Sequence, residues 1–171
     1  MQLDTLDAVL AVTTHPLIAG LAVVVAGSGT GLPAEIERLP DAGGGLNPAL
    51  TAAAAELAGR YPSDGVAALV GDLPALRSVD LLGALAQAEH QDRSFVRDLA
   101  GTGTTLLAAR AGVVLEPRFG PDSAQRHADS GAAELTAGIS LRADVDSPDD
   151  LRAVLRLGTG LLTAQMESEL A

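Results

Sequence analysis

Three carboxylates stand out by their setting. Asp72 follows the apolar run Val66 to Val70 in "VGDLPAL", two residues ahead of Pro74. A strand that ends in Gly-Asp and turns through proline places an acid at the rim of a sheet. In open α/β folds, ligands bind outside the carboxyl ends of the strands. An acid there suits Mg²⁺, which takes one or two protein carboxylates and fills its remaining positions with water or phosphate oxygens. The competing reading of Asp72 is an Asx-type turn cap before Pro74. Asp144 and Asp146 in "LRADVDSPDDL" alternate with Val145, so on a strand both point to the same face. Asp146 abuts Ser147-Pro148 and reads equally well as a helper in capping the next helix, whereas Asp144 has no such second duty. Rim carboxylates from separate βα units, Asp72 and Asp144, would close on one or two divalent ions. Their spacing in the chain does not by itself bring them together.

Two further stretches are suited to anions. In "GTGTT" (Gly101 to Thr105) consecutive small residues let backbone N–H groups approach a ligand, as nests do; the alternative is a plain glycine turn. "RFGPDSAQRH" gathers Arg118, Gly120, Ser123, Arg126 and His127 around the start of a helix, a setting that attracts anions. Taken singly, an Arg or His there is more often a solvated surface group.

The elements that must carry these residues follow from periodicity and punctuation. Residues 2–14 place Leu3, Leu6, Val9, Leu10 and Val12 mostly on one helical face. "LAVVVAG" (Leu21 to Gly27) reads as a buried parallel strand running into the loop "GSGTGLP". "NPALTAAAAELAGRYP" reads as a helix with Asn47 as N-cap, Pro48 at the first helical position and Tyr61-Pro62 as the stop. The strand Val66 to Val70 follows, then a helix capped by Ser78. "RSFVRDL" and "TTLLAAR" read as strands around the Gly-Thr-Gly turn, residues 122–130 as a short helix, and "LRADVD" as a last strand. "SPDDLRAVLRLG" reads as a helix capped by Ser147 and closed by Gly158. Strands alternating with helices imply a mainly parallel α/β sheet in one domain spanning residues 1–171.

Composition narrows the function. The chain has 171 residues, 47% hydrophobic and 19% charged, which fits a globular domain with one substantial core. A net charge of -11 argues against nucleic acid or an anionic membrane surface as partner. All 11 basic residues are arginine, and with no Cys there is no thiol nucleophile or zinc thiolate. Two Phe, one Tyr and no Trp leave little for base stacking. The opening residues carry no basic region of a secretory signal, and Leu17 to Ala26 is too short to span a bilayer, so the cytoplasm is the expected location.

The order "GGGLNPAL", "GDLPAL", "GTGTT", "RFGPDSAQRH" and "LRADVDSPDDL" resembles the phosphoenolpyruvate/2-phospho-L-lactate guanylyltransferase family of deazaflavin coenzyme F(420) biosynthesis, over nearly the whole chain. The resemblance implies a Rossmann-like nucleotidyltransferase fold, similar to nucleotide-diphospho-sugar transferases: a three-layer α/β sandwich. It implies transfer of GMP from GTP to a small phospho-acid, with Mg²⁺ and release of pyrophosphate. On it, Asp72, Asp144 and Asp146 would hold magnesium, with Asp72 and Asp144 as the catalytic pair. Thr104, Gly120 and Ser123 would grip the phospho-acid, and Leu46 and Asn47 would lie beside the nucleotide. The lysine-free, Ala/Gly-rich composition of a GC-rich genome favours phosphoenolpyruvate, the acceptor associated with bacterial members. Homo-oligomerisation is left open. The family opens with a strand and a basic phosphate-gripping loop, whereas the first arginine here is Arg38. The expectation is therefore a chain lacking the N-terminal βα unit. Two alternatives follow: a non-catalytic relative that binds only metal and phospho-acid, or a nucleotidyltransferase for another acceptor, such as a pterin or sugar phosphate, against which "RFGPDS" argues.

Overall fold

The computed structural model describes residues 2–13, 24–26, 36–39 and 43–159. They form α1 (Gln2–Thr13), β1 (Val24–Ala26), β2 (Glu37–Leu39), α2 (Leu46–Arg60), β3 (Val66–Leu69), α3 (Ser78–Ala88), β4 (Arg93–Arg97), β5 (Thr104–Ala109), α4 (Ser123–Asp129), β6 (Ala133–Glu134), α5 (Ile139–Arg142) and α6 (Pro148–Leu155). The "GSGTGLP" loop, Gly27 to Pro33, lies outside the described residues, as do residues 21–23 of the strand expected before it.

β5 organises the sheet. "TTLLAA" is buried at every position, as expected of a strand covered on both faces. Its alternation sends Leu106 and Ala108 toward Val12 of α1 and Leu81 and Ala84 of α3. Leu107 and Ala109 face the other way, packing with Phe95, Phe119 and Ala124 of α4 and with Leu50 and Ala54 of α2. Helices therefore cover both faces, giving the expected three layers. Phe95, Leu106 and Leu107 are completely buried, each stabilising the fold by about 1.5–3 kcal/mol relative to exposure.

The strand order is β3-β5-β4-β6. β5 pairs antiparallel with both β3 and β4, and β4 pairs parallel with β6. β3, β4 and β6 thus share a direction and β5 alone is reversed. The sheet is mixed, with the reversed strand inserted between two parallel ones. β1 and β2 form a separate two-stranded parallel ladder, Val24 opposite Glu37. No helix among the described residues is long and apolar enough to cross a membrane.

Three local expectations fail for identifiable reasons. Gly45 at φ +97, not Asn47, is the N-cap of α2, because Asn47 spends its side chain on a distant loop. Arg77 is the N-cap of α3, and the Ser78 hydroxyl instead donates to the Ala8 carbonyl, tying α3 to α1 (3.1 Å). "LRADVD" is not a strand: residues 139–142 form the short helix α5, and Ala143 to Asp146 are irregular. Side chains satisfy this segment in place of a ladder. Thr105 Oγ1 donates to the Leu141 carbonyl (2.7 Å), and the Arg142 guanidinium donates to the carbonyls of Arg97 (3.0 Å) and Asp98 (3.1 Å). By contrast, α6 is capped as read, by Ser147 and reciprocally by Asp150.

Candidate functional site

Asp72 sits just beyond the end of β3, in a loop held from two sides. From α1, the buried Thr5 hydroxyl donates to the Gly71 carbonyl (3.1 Å) and accepts from the Leu73 N–H (3.0 Å), bracketing Asp72. From the other side, the Val145 N–H donates to the Asp72 carbonyl (3.1 Å). That bond sets Asp72 against the Asp144–Asp146 segment, which sequence spacing could not do.

The electrostatics of this rim are unfavourable as they stand. Asp72 Oδ1 is buried and has no hydrogen-bond partner. Burial raises the Asp72 pKa, against a backbone hydrogen bond that lowers it, and the charge of Asp146 raises it further. Asp144 is pushed up to about 6, first by burial and then, beyond an opposing backbone hydrogen bond, by the charges of Asp98, Asp146 and Asp72. The cap of α6 is made by Ser147 and Asp150, so the capping alternative for Asp146 falls away. Among the described residues no three His, Cys, Asp or Glu side chains converge as a ready-made cage. The rim offers two half-buried carboxylates and an exposed third. An orphaned carboxylate oxygen among like charges fits a divalent cation, which would satisfy it and reverse both shifts.

The Gly-Thr-Gly turn is not an open nest. Asp98 fills it: its carboxylate accepts from the N–H groups of Gly101 (2.6 Å), Thr102 (3.0 Å) and Gly103 (2.7 Å). A Cβ on Gly103 would stand 2.3 Å from Asp98 Oδ2, so only glycine fits there. The anion expected from solution is supplied by the chain itself. Sequence reasoning missed Asp98, although the pattern Asp-x-x-Gly-x-Gly carries the signal of a carboxylate closing its own loop.

A second wall faces this hairpin. Gly120 at φ +116 and Asp122 at φ +53 turn the chain into α4, and the Ser123 N–H donates to the Gly120 carbonyl (3.1 Å). Asn47 pins this loop reciprocally: its amide donates to the Phe119 carbonyl (3.0 Å) and its oxygen accepts from the Phe119 N–H (2.7 Å). The start of α2, with Leu46 exposed, is thereby fixed beside Phe119 and Gly120. His127 joins the wall to the hairpin, its ring nitrogens lying 2.9 Å from Thr104 Oγ1 and 2.9 Å from the Arg118 backbone nitrogen. Thr104, Gly120 and Ser123 are thus brought into one wall, and Asp72 and Asp144 into one rim. A separate cleft of about 220 Å³, lined by Thr51, Ala54, Val66, Arg110 and Val113, involves none of these residues.

The described residues thus form a three-layer α/β domain with a mixed sheet and an acidic rim beyond a strand end. The chain is similar in fold to a provisionally named nucleotide-diphospho-sugar transferase of Desulfovibrio desulfuricans G20 (TM-score 0.54, 14% identity, 78% of this chain and 65% of that one). It is likewise similar to a hypothetical transferase of Thermus thermophilus (TM-score 0.57, 21% identity, 88% and 85%). No family model matches the chain. Curated relatives do. It is 49% identical to the phosphoenolpyruvate guanylyltransferase of Geodermatophilus obscurus over 94% of this chain and 74% of that protein. The corresponding values are 52% over 74% and 56% for that of Thermomonospora curvata, and 43% over 96% and 80% for that of Streptomyces coelicolor. The chain belongs to the phosphoenolpyruvate guanylyltransferase family.

Proposed function

We propose that this protein transfers GMP from GTP to the phosphate of phosphoenolpyruvate, releasing pyrophosphate, as a cytoplasmic step toward a deazaflavin coenzyme. A phosphate oxygen of the acceptor bonds to the α-phosphorus of GTP while the bond from that phosphorus to the oxygen bridging to the β-phosphate breaks. Pyrophosphate leaves with that oxygen, so no side-chain nucleophile is required. The observation that carries the reading is the buried, unpartnered Asp72 Oδ1 beside Asp144, whose pKa is pushed up to about 6. Mg²⁺, when bound, would neutralise phosphate charge and align the reacting oxygens.

The chain's own residues have distinct tasks. Asp72 and Asp144, with Asp146 at the margin, hold the cation. Thr104, Gly120 and Ser123 grip the acceptor's carboxylate. Arg126 adds charge to that grip: its terminal nitrogen lies 3.2 Å from where a Gly120 Cβ would stand, and it makes no ion pair among the described residues. Leu46 and the first turn of α2 lie beside the nucleotide, with the Asn47 side chain committed to holding Phe119.

The test is pyrophosphate release from GTP in the presence of Mg²⁺ and either phosphoenolpyruvate or 2-phospho-L-lactate. Release with phosphoenolpyruvate as the better acceptor, abolished in Asp72→Asn, is expected. Predominant turnover of phospholactate would overturn the acceptor, and an unimpaired Asp72→Asn would remove Asp72 from the site. Binding of phosphoenolpyruvate and Mg²⁺ without release would leave a binding protein in place of an enzyme.

A further inference from the structure

We infer that His127 is a positioning residue that makes the Thr104 hydroxyl a hydrogen-bond donor to the anionic acceptor. The ring is fully buried, 5.2 Å from Phe119 in edge-on contact and 6.0 Å from Phe95. The Arg118 backbone N–H donates to its Nε2 at 2.9 Å. A backbone amide can only donate, so Nε2 carries a lone pair, and in the neutral ring the hydrogen sits on Nδ1. Nδ1, 2.9 Å from Thr104 Oγ1, therefore donates to that oxygen. With its oxygen accepting from the ring, the hydroxyl's single hydrogen is left for another acceptor, and no other partner of Thr104 Oγ1 exists among the described residues.

The ring is held neutral by its surroundings. Burial first, then the charges of Arg126, Arg118 and Arg93, push its pKa down to about 4. An imidazole with both nitrogens committed, linking the start of β5 to the loop that carries Gly120, sets the spacing of the wall as well as the polarity of the hydroxyl. A carboxylate or phosphate is the ligand class that takes such a hydrogen, because it accepts and cannot donate. The inference rests on the assignment of Thr104 to the acceptor site.

Two measurements decide it. Nitrogen-15 shifts of the ring should report the Nδ1–H tautomer, unchanged from about pH 8 to about pH 5. An Nε2–H tautomer or a charged ring at neutral pH would overturn the inference. Calorimetric titration of phosphoenolpyruvate in Mg²⁺ should then show Thr104→Val and His127→Gln each weakening binding about tenfold, with GTP affinity unchanged. A glutamine oxygen replaces Nε2 as acceptor for Arg118 but offers no hydrogen at the Nδ1 position. His127→Asn, with an amide nitrogen at that position, should recover most of the affinity. If His127→Gln does not fold, the tautomer and the Asn variant still decide the matter. In the double variant the losses should not add; additive losses would show that His127 does not act through Thr104. If the unaltered chain shows the Nδ1–H ring but no phosphoenolpyruvate binding, the acceptor of the proposed function is overturned and the polarity of the ring stands.

Discussion

Asp144 shows what burying a carboxylate costs, the more so when its neighbours are also acids. Its folded-state pKa of about 6 lies above the ordinary value of 3.8. The stability it contributes is therefore complete below the ordinary value and is lost as pH rises through about 6. In metal-free protein at about pH 7.5, Asp144→Asn should raise stability by about 1–2 kcal/mol, an advantage that vanishes near pH 4. Thermal melts at the two pH values check this. Adding Mg²⁺ should raise the melting temperature of the unaltered protein more than that of the variant. Were the variant less stable at both pH values, Asp144 would be a structural group. At this scale the candidate carboxylates were readable in the sequence but their meeting was not: Asp72 follows an apolar run, whereas the Val145 N–H bond that sets it against Asp144 leaves no trace in the spacing. Asp98 left a signal in Asp-x-x-Gly-x-Gly, but the small residues after it read first as a site for an anion from solution.

At the scale of elements, the rim depends on a helix far from it in sequence. Thr5 lies on α1, yet its hydroxyl brackets the Asp72 loop through Gly71 and Leu73. Thr5→Val keeps the shape and removes both bonds, leaving a buried N–H unsatisfied at a cost of about 1–3 kcal/mol. The expected result is a lower melting temperature together with weaker Mg²⁺ binding, and Thr5→Ser should restore much of both. A variant that loses stability but binds Mg²⁺ unchanged would separate α1 from the rim. Capping rules located the start of α6, where Ser147 and Asp150 act locally. They failed at α2 and α3 because Asn47 and Ser78 bond to Phe119 and Ala8, partners that a local rule does not see. β2 and β6, three and two residues long, are too short to leave a periodic trace.

For the whole molecule, the α/β class was legible because apolar runs alternate with helices, and the three layers followed from the family resemblance. The reversal of β5 was not, since a buried run reads the same in either direction. A net charge of -11 opposes the two anionic substrates of the proposed reaction, but the negative charge nearest the site is the rim that a divalent cation would neutralise.

The reversal of β5 also bears on the order in which the molecule assembles. Because β5 runs against β3 and β4, its first residue lies where they end: Thr104 pairs with Arg97, and the Val70 N–H donates to the Thr105 carbonyl (3.0 Å). Half of the site is therefore a hairpin whose strands are separated only by residues 98–103, closed by Asp98. Contacts so near in sequence form with little loss of chain entropy, whereas β3 must wait for α3 to cross over. In pulse-labelling during refolding, amides of β4 and β5 should gain protection before those of β3. Asp98→Ala should delay that early phase by opening the loop, leaving the later docking of β3 nearly unchanged. The Thr104 side of the wall would then form before the rim, and the side carrying Gly120 and Ser123 would be added only when α4 docks.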